Sequence, residues 1–271
     1  MPFVIASHSN MKIHPLLSLV LLSALPVLAE DKPSPIGYED TPIIPGTEWR
    51  VHDIKRPAPP VVSPGKAGGE APSDAIILFN GKDNASFTGK EGAPCPWKVE
   101  DGELVVFGGD IWTKESFGSC QLHLEWKTAP ETKGNSQKKG NSGIFFMDRY
   151  ETQILDAYNN PTYADGTPGG VYGQTPPMAN AVRPPGNWQV YDVIFTAAKV
   201  DKDGKVTEPA YVTTIINGIC VQNHTKIMGP TKHKQTTSYD GVFPEKAPIR
   251  LQDHKNDPPV RFRNIWIRPL P

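Results

Sequence analysis

The sequence predicts an antiparallel all-β fold, a β-sandwich or jelly roll. Its apolar segments are short, and turn signals such as Asp101-Gly, Asp203-Gly and Asn217-Gly separate neighbouring segments, which is typical of β-hairpins. No stretch of about 11 or more residues sustains a helical apolar stripe. Proline is frequent, with 29 among 271 residues, and this disfavours long helices because proline interrupts them. No internal repeat indicates a propeller.

The chain is predicted to start with a cleavable secretory signal at residues 1–29. Met11, an alternative translation start, is followed by a basic residue and then by an apolar stretch from Leu16 to Ala29. This stretch is shorter than the roughly 20 residues that a membrane-spanning helix needs. We therefore expect an exported protein, periplasmic, extracellular or associated with the cell surface, that has no integral membrane span.

A proline-rich linker, disordered or extended, is predicted at residues 30–74. This segment holds nine of the prolines and almost no run of apolar residues. Residues 75–271 remain, and this length is sufficient for one domain with a well-buried core.

Composition excludes several classes of function. The chain has 28 Lys and Arg against 29 Asp and Glu, a net charge of −1, so it carries no basic field for nucleic acid or anionic lipid. Cys95, Cys120 and Cys220 have no CxxC spacing, which argues against a zinc ribbon and against a disulfide framework. At most one pair of them can form a disulfide, and three free thiols are the alternative.

Eleven strands follow the linker. They are predicted at residues 75–79, 97–100, 103–107, 121–126, 143–147, 150–155, 190–195, 211–216, 219–222, 249–252 and 260–267. The first is apolar and ends at an Asn-Gly turn, and the others are short runs rich in β-branched and aromatic residues.

Four of these strands alternate between apolar and polar residues, so each presents two different faces. In the strand at 121–126, Leu122, Leu124 and Trp126 oppose Gln121, His123 and Glu125, and in the strand at 150–155, Tyr150, Thr152 and Ile154 oppose Glu151 and Gln153. In and just after the strand at 249–252, Leu251 opposes Arg250, Gln252 and His254. In the strand at 260–267, Val260, Phe262 and Trp266 oppose Arg261 and Arg263. A plain solvated sheet face explains the alternation alone. The planar Gln, His, Glu and Arg groups favour a concave face that holds sugar hydroxyls or a carbonyl.

Several phrases make the chain resemble a known family. They include Leu78-Phe-Asn-Gly-Lys-Asp, Gly140-Asn-Ser-Gly-Ile-Phe-Phe, Tyr150-Glu-Thr-Gln-Ile-Leu-Asp, Asn187-Trp-Gln-Val-Tyr-Asp and Leu251-Gln-Asp-His. Over roughly residues 75–271 the sequence resembles the 3-keto-disaccharide hydrolase domain. The resemblance implies a concanavalin-like sandwich of the laminin-G or glucanase type, and an enzyme that acts on glycosides whose sugar carries a ketone at C3.

Chemistry on a 3-keto sugar requires particular groups. The ketone acidifies the hydrogen on C2, so a base can remove it, the C1 group can leave by elimination, and water can add back. His254 suits the base or acid role, with Glu125 and Glu151 as alternatives, and Arg261 or Arg263 can stabilise the enediolate oxygen.

A conventional glycoside hydrolase is an alternative function, in which Glu151 and Asp156 share a cleft across a bulge. A non-catalytic carbohydrate-binding module is another.

The remaining candidates bind substrate or metal. Substrate-binding residues are expected among Asn141, Gln153, Gln174, Trp188, Gln252, Arg261, Arg263 and His123. Each has a structural alternative, such as an ion pair for the arginines or burial for Trp188. A divalent metal is a further option if His123, Glu125, Glu151 and His254 meet across strands, although no local metal motif supports it. No other cofactor is expected, and the sequence does not predict the oligomeric state.

Overall fold

The computed structural model of this chain describes residues 36–271, and the predicted signal peptide at residues 1–29 lies outside them. The chain divides into two units, one ending at Pro60 and one beginning at Val61. In the described part of the first unit, Tyr38 pairs with Asp53 and Ile43 pairs with Arg50 through isolated bridges. No helix among residues 36–271 is both long and apolar enough to cross a membrane.

The second unit is an antiparallel jelly-roll β-sandwich, as the sequence predicts. Its strands are β1 (Ile76–Phe79), β2 (Phe87–Thr88), β3 (Lys98–Glu100), β4 (Glu103–Val105), β5 (Ile111–Thr113), β6 (Cys120–Lys127), β7 (Ser142–Phe146), β8 (Tyr150–Ile154), β9 (Gln189–Thr196), β10 (Lys199–Val200), β11 (Val206–Glu208), β12 (Tyr211–Ile216), β13 (Ile219–Lys226), β14 (Arg250–Leu251) and β15 (Arg261–Pro269). Three short 3₁₀ helices lie between strands, at Lys90–Gly92, Ser136–Lys138 and Ala164–Gly166.

Two sheets form the sandwich. The large sheet has eight strands in the order β13-β12-β9-β6-β15-β4-β3, and β1 pairs with a later part of β15. The small sheet has five strands in the order β2-β5-β14-β7-β8. Strands β10 and β11 form a separate hairpin.

All eleven predicted strands are present, with ends that shift by a few residues. The hairpin turns at Asp101-Gly102 and Asn217-Gly218 have positive φ at both residues, as a two-residue turn of this type requires. The sequence pattern does not predict β2, β5, β10 and β11, each of which has only two or three residues. Such short strands carry too few residues for a period of two to be visible.

Apolar side chains from both sheets form one core. Leu122, Leu124 and Trp126 of β6 are buried in it, as their alternation predicts. Phe146 of the small sheet stacks on Phe195 of the large sheet, with ring centroids 4.8 Å apart. The polar residues that alternate with these core positions therefore lie on the outer faces of the two sheets.

Trp266 does not share the core face with Val260 and Phe262, and here the prediction is wrong. The register between β15 and β6 shifts between Arg263 and Trp266, which is a β-bulge. The bulge turns Trp266 to the outer face of the large sheet, where its ring stacks on His123 at 5.1 Å. Ile265 takes the place in the core instead.

Residues 61–74, the last part of the predicted linker, belong to the second unit. Within this segment, the carbonyl oxygen of Gly69 accepts hydrogen bonds from Asn264 Nδ2 at 2.7 Å and from Trp266 Nε1 at 2.8 Å. Gly69 has a φ of +89°, and a Cβ there would lie 3.1 Å from the His123 ring. The segment therefore covers part of the outer face of the large sheet.

The three cysteines are free thiols, which was one of the two alternatives. Cys95 is half-buried, Cys120 is buried and Cys220 is exposed. Burial raises the pKa of the Cys120 thiol to about 12, so this thiol stays protonated and packs as a small apolar side chain.

Candidate active site

A polar cavity of about 420 Å³ lies on the outer face of the small sheet. Strands β7, β8 and β14 and the residues next to them contribute Asn141, Phe145, Glu151, Gln153, Arg250, Gln252 and His254. The 3₁₀ helix at Ser136–Lys138 contributes Gln137, and loops contribute Tyr163, Tyr172, Thr231 and His233. Phe145 is paired in register with Glu151 on one side and with Arg250 on the other, so the pleat directs all three to the same face.

Glu151 is the buried acid of this cavity. Only 5% of its surface is exposed. Burial raises the pKa of Glu151 to about 8; the charge of Arg250 opposes this rise and that of Asp110 adds to it. Gly143 makes room for the carboxyl group, because a Cβ at this position would lie 2.5 Å from Glu151 Oε1. The sheet therefore holds a carboxyl group that exchanges its proton near neutral pH.

Arg250 is fixed beside this carboxyl group. Its Nη1 donates to Asp110 and its Nε donates to Asp148, both at 2.6 Å. Its guanidinium carbon lies 3.5 Å from the centroid of the Phe145 ring. Within the described part of the chain, Nη2 remains to donate to a ligand oxygen, and a guanidinium held in this way suits an oxygen that gains negative charge.

Amide groups line the floor of the cavity. Gln153 donates from Nε2 to Gln137 Oε1 at 2.8 Å, and Asn141 donates from Nδ2 to the Gln137 carbonyl oxygen at 2.8 Å. Asn141 Oδ1 is buried and accepts no hydrogen bond from the described residues. A buried acceptor without a partner costs free energy, and Asn141 is one of the residues that line the cavity.

The structure brings together five of the residues that the sequence predicts for the site. They are Asn141, Glu151, Gln153, Gln252 and His254. Gln174 lines a second cavity of about 610 Å³. This second cavity, called the adjoining cavity below, shares Tyr163, Tyr172 and His233 with the polar cavity. Asp156 lines neither cavity; it is buried and pairs with Lys139 at 3.2 Å.

The other five predicted residues do not reach the cavity. Glu125, His123, Arg261 and Arg263 lie on the outer face of the large sheet, and Trp188 packs there against Arg263. There they have structural partners: Arg263 pairs with Glu125 at 2.6 Å, Arg261 with Glu100 and Glu103 at 3.1 Å, and His123 with Asp192 at 2.6 Å. The polar faces of the four strands thus form two surfaces, one on each sheet.

The proposed four-residue metal site is separated in the same way. His123 and Glu125 lie on the large sheet, whereas Glu151 and His254 line the cavity on the small sheet. Within residues 36–271, no three His, Cys, Asp or Glu side chains are grouped closely enough to hold a metal ion.

Several residues of the cavity are not among those that the sequence predicts for the site. Arg250 shares its alternating face with Gln252 and His254, so the same pattern contained the signal for it. Tyr172 lies in the segment Gly170-Val-Tyr-Gly-Gln, which is outside any predicted strand. For Thr231 and His233, which come from a loop distant in sequence, the alternation of strand residues provides no signal.

The raised pKa of Glu151 predicts a pH effect on stability. The unfolded chain releases this proton near an ordinary pKa of about 4.3, whereas the folded chain keeps it up to about pH 8. As the pH rises from the unfolded value to the folded value, the free energy of unfolding should therefore decrease, by at most about 1.4 kcal/mol per pH unit. Urea denaturation at several pH values should show this loss in the wild type and not in Glu151→Gln. Parallel curves for the two proteins would contradict the prediction.

Comparison with known proteins agrees with this architecture. A family model described as a 3-keto-alpha-glucoside-1,2-lyase-like domain matches residues 74–268. The chain is similar to a candidate glycosyl hydrolase from Parabacteroides distasonis ATCC 8503, with 44% sequence identity, a TM-score of 0.76, and coverage of 84% of this chain and 100% of that chain. A second structure described in the same terms, from the same organism, has 25% identity and a TM-score of 0.53, and covers 73% of this chain and 94% of its own. None of the curated proteins compared with the chain matches it.

Proposed function

The chain belongs to the 3-keto-alpha-glucoside-1,2-lyase-like family, and from this premise we propose that it cleaves glycosides whose sugar carries a ketone at C3. It is a carbohydrate-active enzyme that acts on glycosides. The observation that carries the finer proposal is the buried Glu151 carboxyl group beside Arg250, in a cavity lined by amides.

The first step is removal of the proton on C2. Glu151 accepts this proton, and its pKa of about 8 makes its carboxylate a stronger base than an ordinary one. As the C2–H bond breaks, its electron pair moves toward the C3 ketone and negative charge develops on that oxygen. Arg250 Nη2 is the group that stabilises this charge.

The second step is departure of the group on C1. The electron pair of the enediolate forms the C1–C2 double bond, the bond from C1 to the glycosidic oxygen breaks, and that oxygen takes up a proton. Addition of water across the double bond then gives net hydrolysis. The amide groups that line the cavity hold the sugar hydroxyls, and so the ring, in place during both steps.

A conventional glycosidase would need a second carboxyl group near the first. Retaining enzymes place two carboxyl groups about 5–5.5 Å apart. Glu151 is the only carboxyl-bearing side chain among the described residues that line the polar cavity, and Asp156 is held by Lys139 away from it. These contacts favour the keto-sugar route over a retaining oxocarbenium mechanism.

Incubation with a 3-keto-disaccharide in D₂O tests the proposal. We expect release of the second sugar and incorporation of deuterium at C2, with and without added divalent metal, and no cleavage of the unoxidised disaccharide. Absence of turnover across several linkages would contradict the proposal, and binding without turnover would indicate a carbohydrate-binding module. Cleavage of the unoxidised sugar without exchange at C2 would identify a conventional glycoside hydrolase.

A further inference from the structure

The adjoining cavity meets the polar cavity at three side chains. Tyr163, Tyr172 and His233 line both cavities. If the keto sugar lies over Glu151 in the polar cavity, its C1 substituent leaves the ring at this shared wall and enters the adjoining cavity. Resting on the proposed function, we propose that the adjoining cavity binds the leaving group and that Tyr172 donates the proton to the glycosidic oxygen.

Tyr172 is well placed relative to the base. Its backbone N–H donates to the carbonyl oxygen of Glu151 at 3.1 Å, so the two residues are neighbours, and their side chains enter the same cavity. The reaction requires a base at C2 and an acid at the oxygen on C1, which are adjacent positions of one sugar ring. A tyrosine beside the glutamate fits this requirement, whereas His254 lies exposed on the lining of the polar cavity alone.

The contacts of the Tyr172 hydroxyl group support the acid role. Its oxygen lies 2.6 Å from the Tyr163 hydroxyl oxygen and 2.9 Å from His233 Nδ1. A hydroxyl group has one donor and two acceptor positions. When Tyr163 and His233 both donate to the Tyr172 oxygen, its own hydrogen is free for a third partner, and the phenolate left after transfer is stabilised by two donors.

The protonation states agree with this arrangement. Burial raises the pKa of Tyr172, so the hydroxyl group holds its proton at neutral pH, as an acid must. In the transfer, the C1–O bond breaks, its electron pair stays on the glycosidic oxygen, and the Tyr172 proton bonds to that oxygen. The exposed His233 then returns a proton from solvent to the phenolate, which restores the neutral tyrosine.

The surface of the adjoining cavity suits a ring with an apolar face. Tyr163, Tyr172 and Met228 provide apolar surface. Gln174 is held by its own contacts, since Nε2 donates to the Gly229 carbonyl oxygen and Oε1 accepts from the Met228 N–H. The second sugar of a disaccharide, which presents C–H groups on one face, matches this surface.

Tyr172→Phe should affect substrates according to their leaving groups. On a 3-keto-disaccharide, whose leaving oxygen needs a proton, we expect kcat to fall by about 10²-fold or more. On the 4-nitrophenyl 3-keto-glucoside, whose phenolate leaves without protonation, we expect kcat to stay near that of the wild type. Exchange of the C2 hydrogen with deuterium should also persist in the variant, because Glu151 is unchanged.

Tyr158→Phe is the matched control, since Tyr158 is exposed and lines neither cavity; it should behave as the wild type on both substrates. Equal losses on both substrates for Tyr172→Phe would overturn the acid role, as would no loss on the disaccharide. Failure of the wild type to turn over any 3-keto-glycoside would instead contradict the proposed function itself, so the two failures are distinguishable.

Discussion

Replacing Glu151 with glutamine is expected to lower kcat on a 3-keto-disaccharide by about 10²–10⁴-fold, the usual contribution of a positioned base. The amide has nearly the same shape as the protonated acid and fits above Gly143, but it cannot accept the proton from C2. Exchange of the C2 hydrogen with solvent deuterium should be lost together with cleavage. Initial rates and mass spectrometry of recovered substrate measure both effects.

Glu125→Gln is the control for this variant. Glu125 is also a largely buried carboxylate with a cationic partner, Arg263 at 2.6 Å, but it lies on the outer face of the large sheet. We expect kcat and C2 exchange to stay unchanged. If Glu125→Gln were as inactive as Glu151→Gln, or if Glu151→Gln kept its activity, the assignment of the base would be wrong.

Replacing Arg250 with glutamine should lower kcat by about 10²–10³-fold, as loss of an oxyanion donor does in other enzymes. It should also change the pH profile. The charge of Arg250 lowers the pKa of Glu151, so its removal raises that pKa further. Because the base acts when deprotonated, the rising limb of kcat/KM, expected near pH 8 in the wild type, should move to higher pH.

Two variants make the Arg250 result specific. Arg250→Lys keeps the positive charge, so its pH profile should stay close to that of the wild type even though the rate falls. Arg261→Gln removes a guanidinium that also pairs with two carboxylates, Glu100 and Glu103, but on the large sheet; it should change neither rate nor profile. A pH profile of Arg250→Gln that coincides with the wild type would contradict the coupling to Glu151.

The fold could be predicted because alternation with a period of two is a local property. In β6 and β8 the pattern separates core residues from outer residues correctly. The position of Trp266 could not be predicted, since the bulge in β15 arises from pairing with β6, which is distant in sequence. Local patterns do not contain this register shift.

The candidate site was predictable only in part, for a related reason. Alternation indicates which side chains point away from the core. Because the sandwich has two sheets, such a side chain can lie on either of two outer faces. Glu125 and Glu151 have equivalent patterns, and only the strand order shows that they lie on opposite sides of the sandwich. The raised pKa of Glu151 depends on loops that cover β8, such as the one carrying Thr231, whose side-chain oxygen accepts from the Glu151 N–H.

The Gly69 contact affects where the folded protein can be shortened. By composition, the proline-rich linker ends at residue 74. The hydrogen bonds to the Gly69 carbonyl oxygen, however, make residues 61–74 part of the domain. A protein trimmed to residues 75–271 would leave the indole N–H of Trp266 and the amide of Asn264 without their shared acceptor and would expose the stacked His123 ring to water. The practical boundary for expression and crystallisation is therefore Val61.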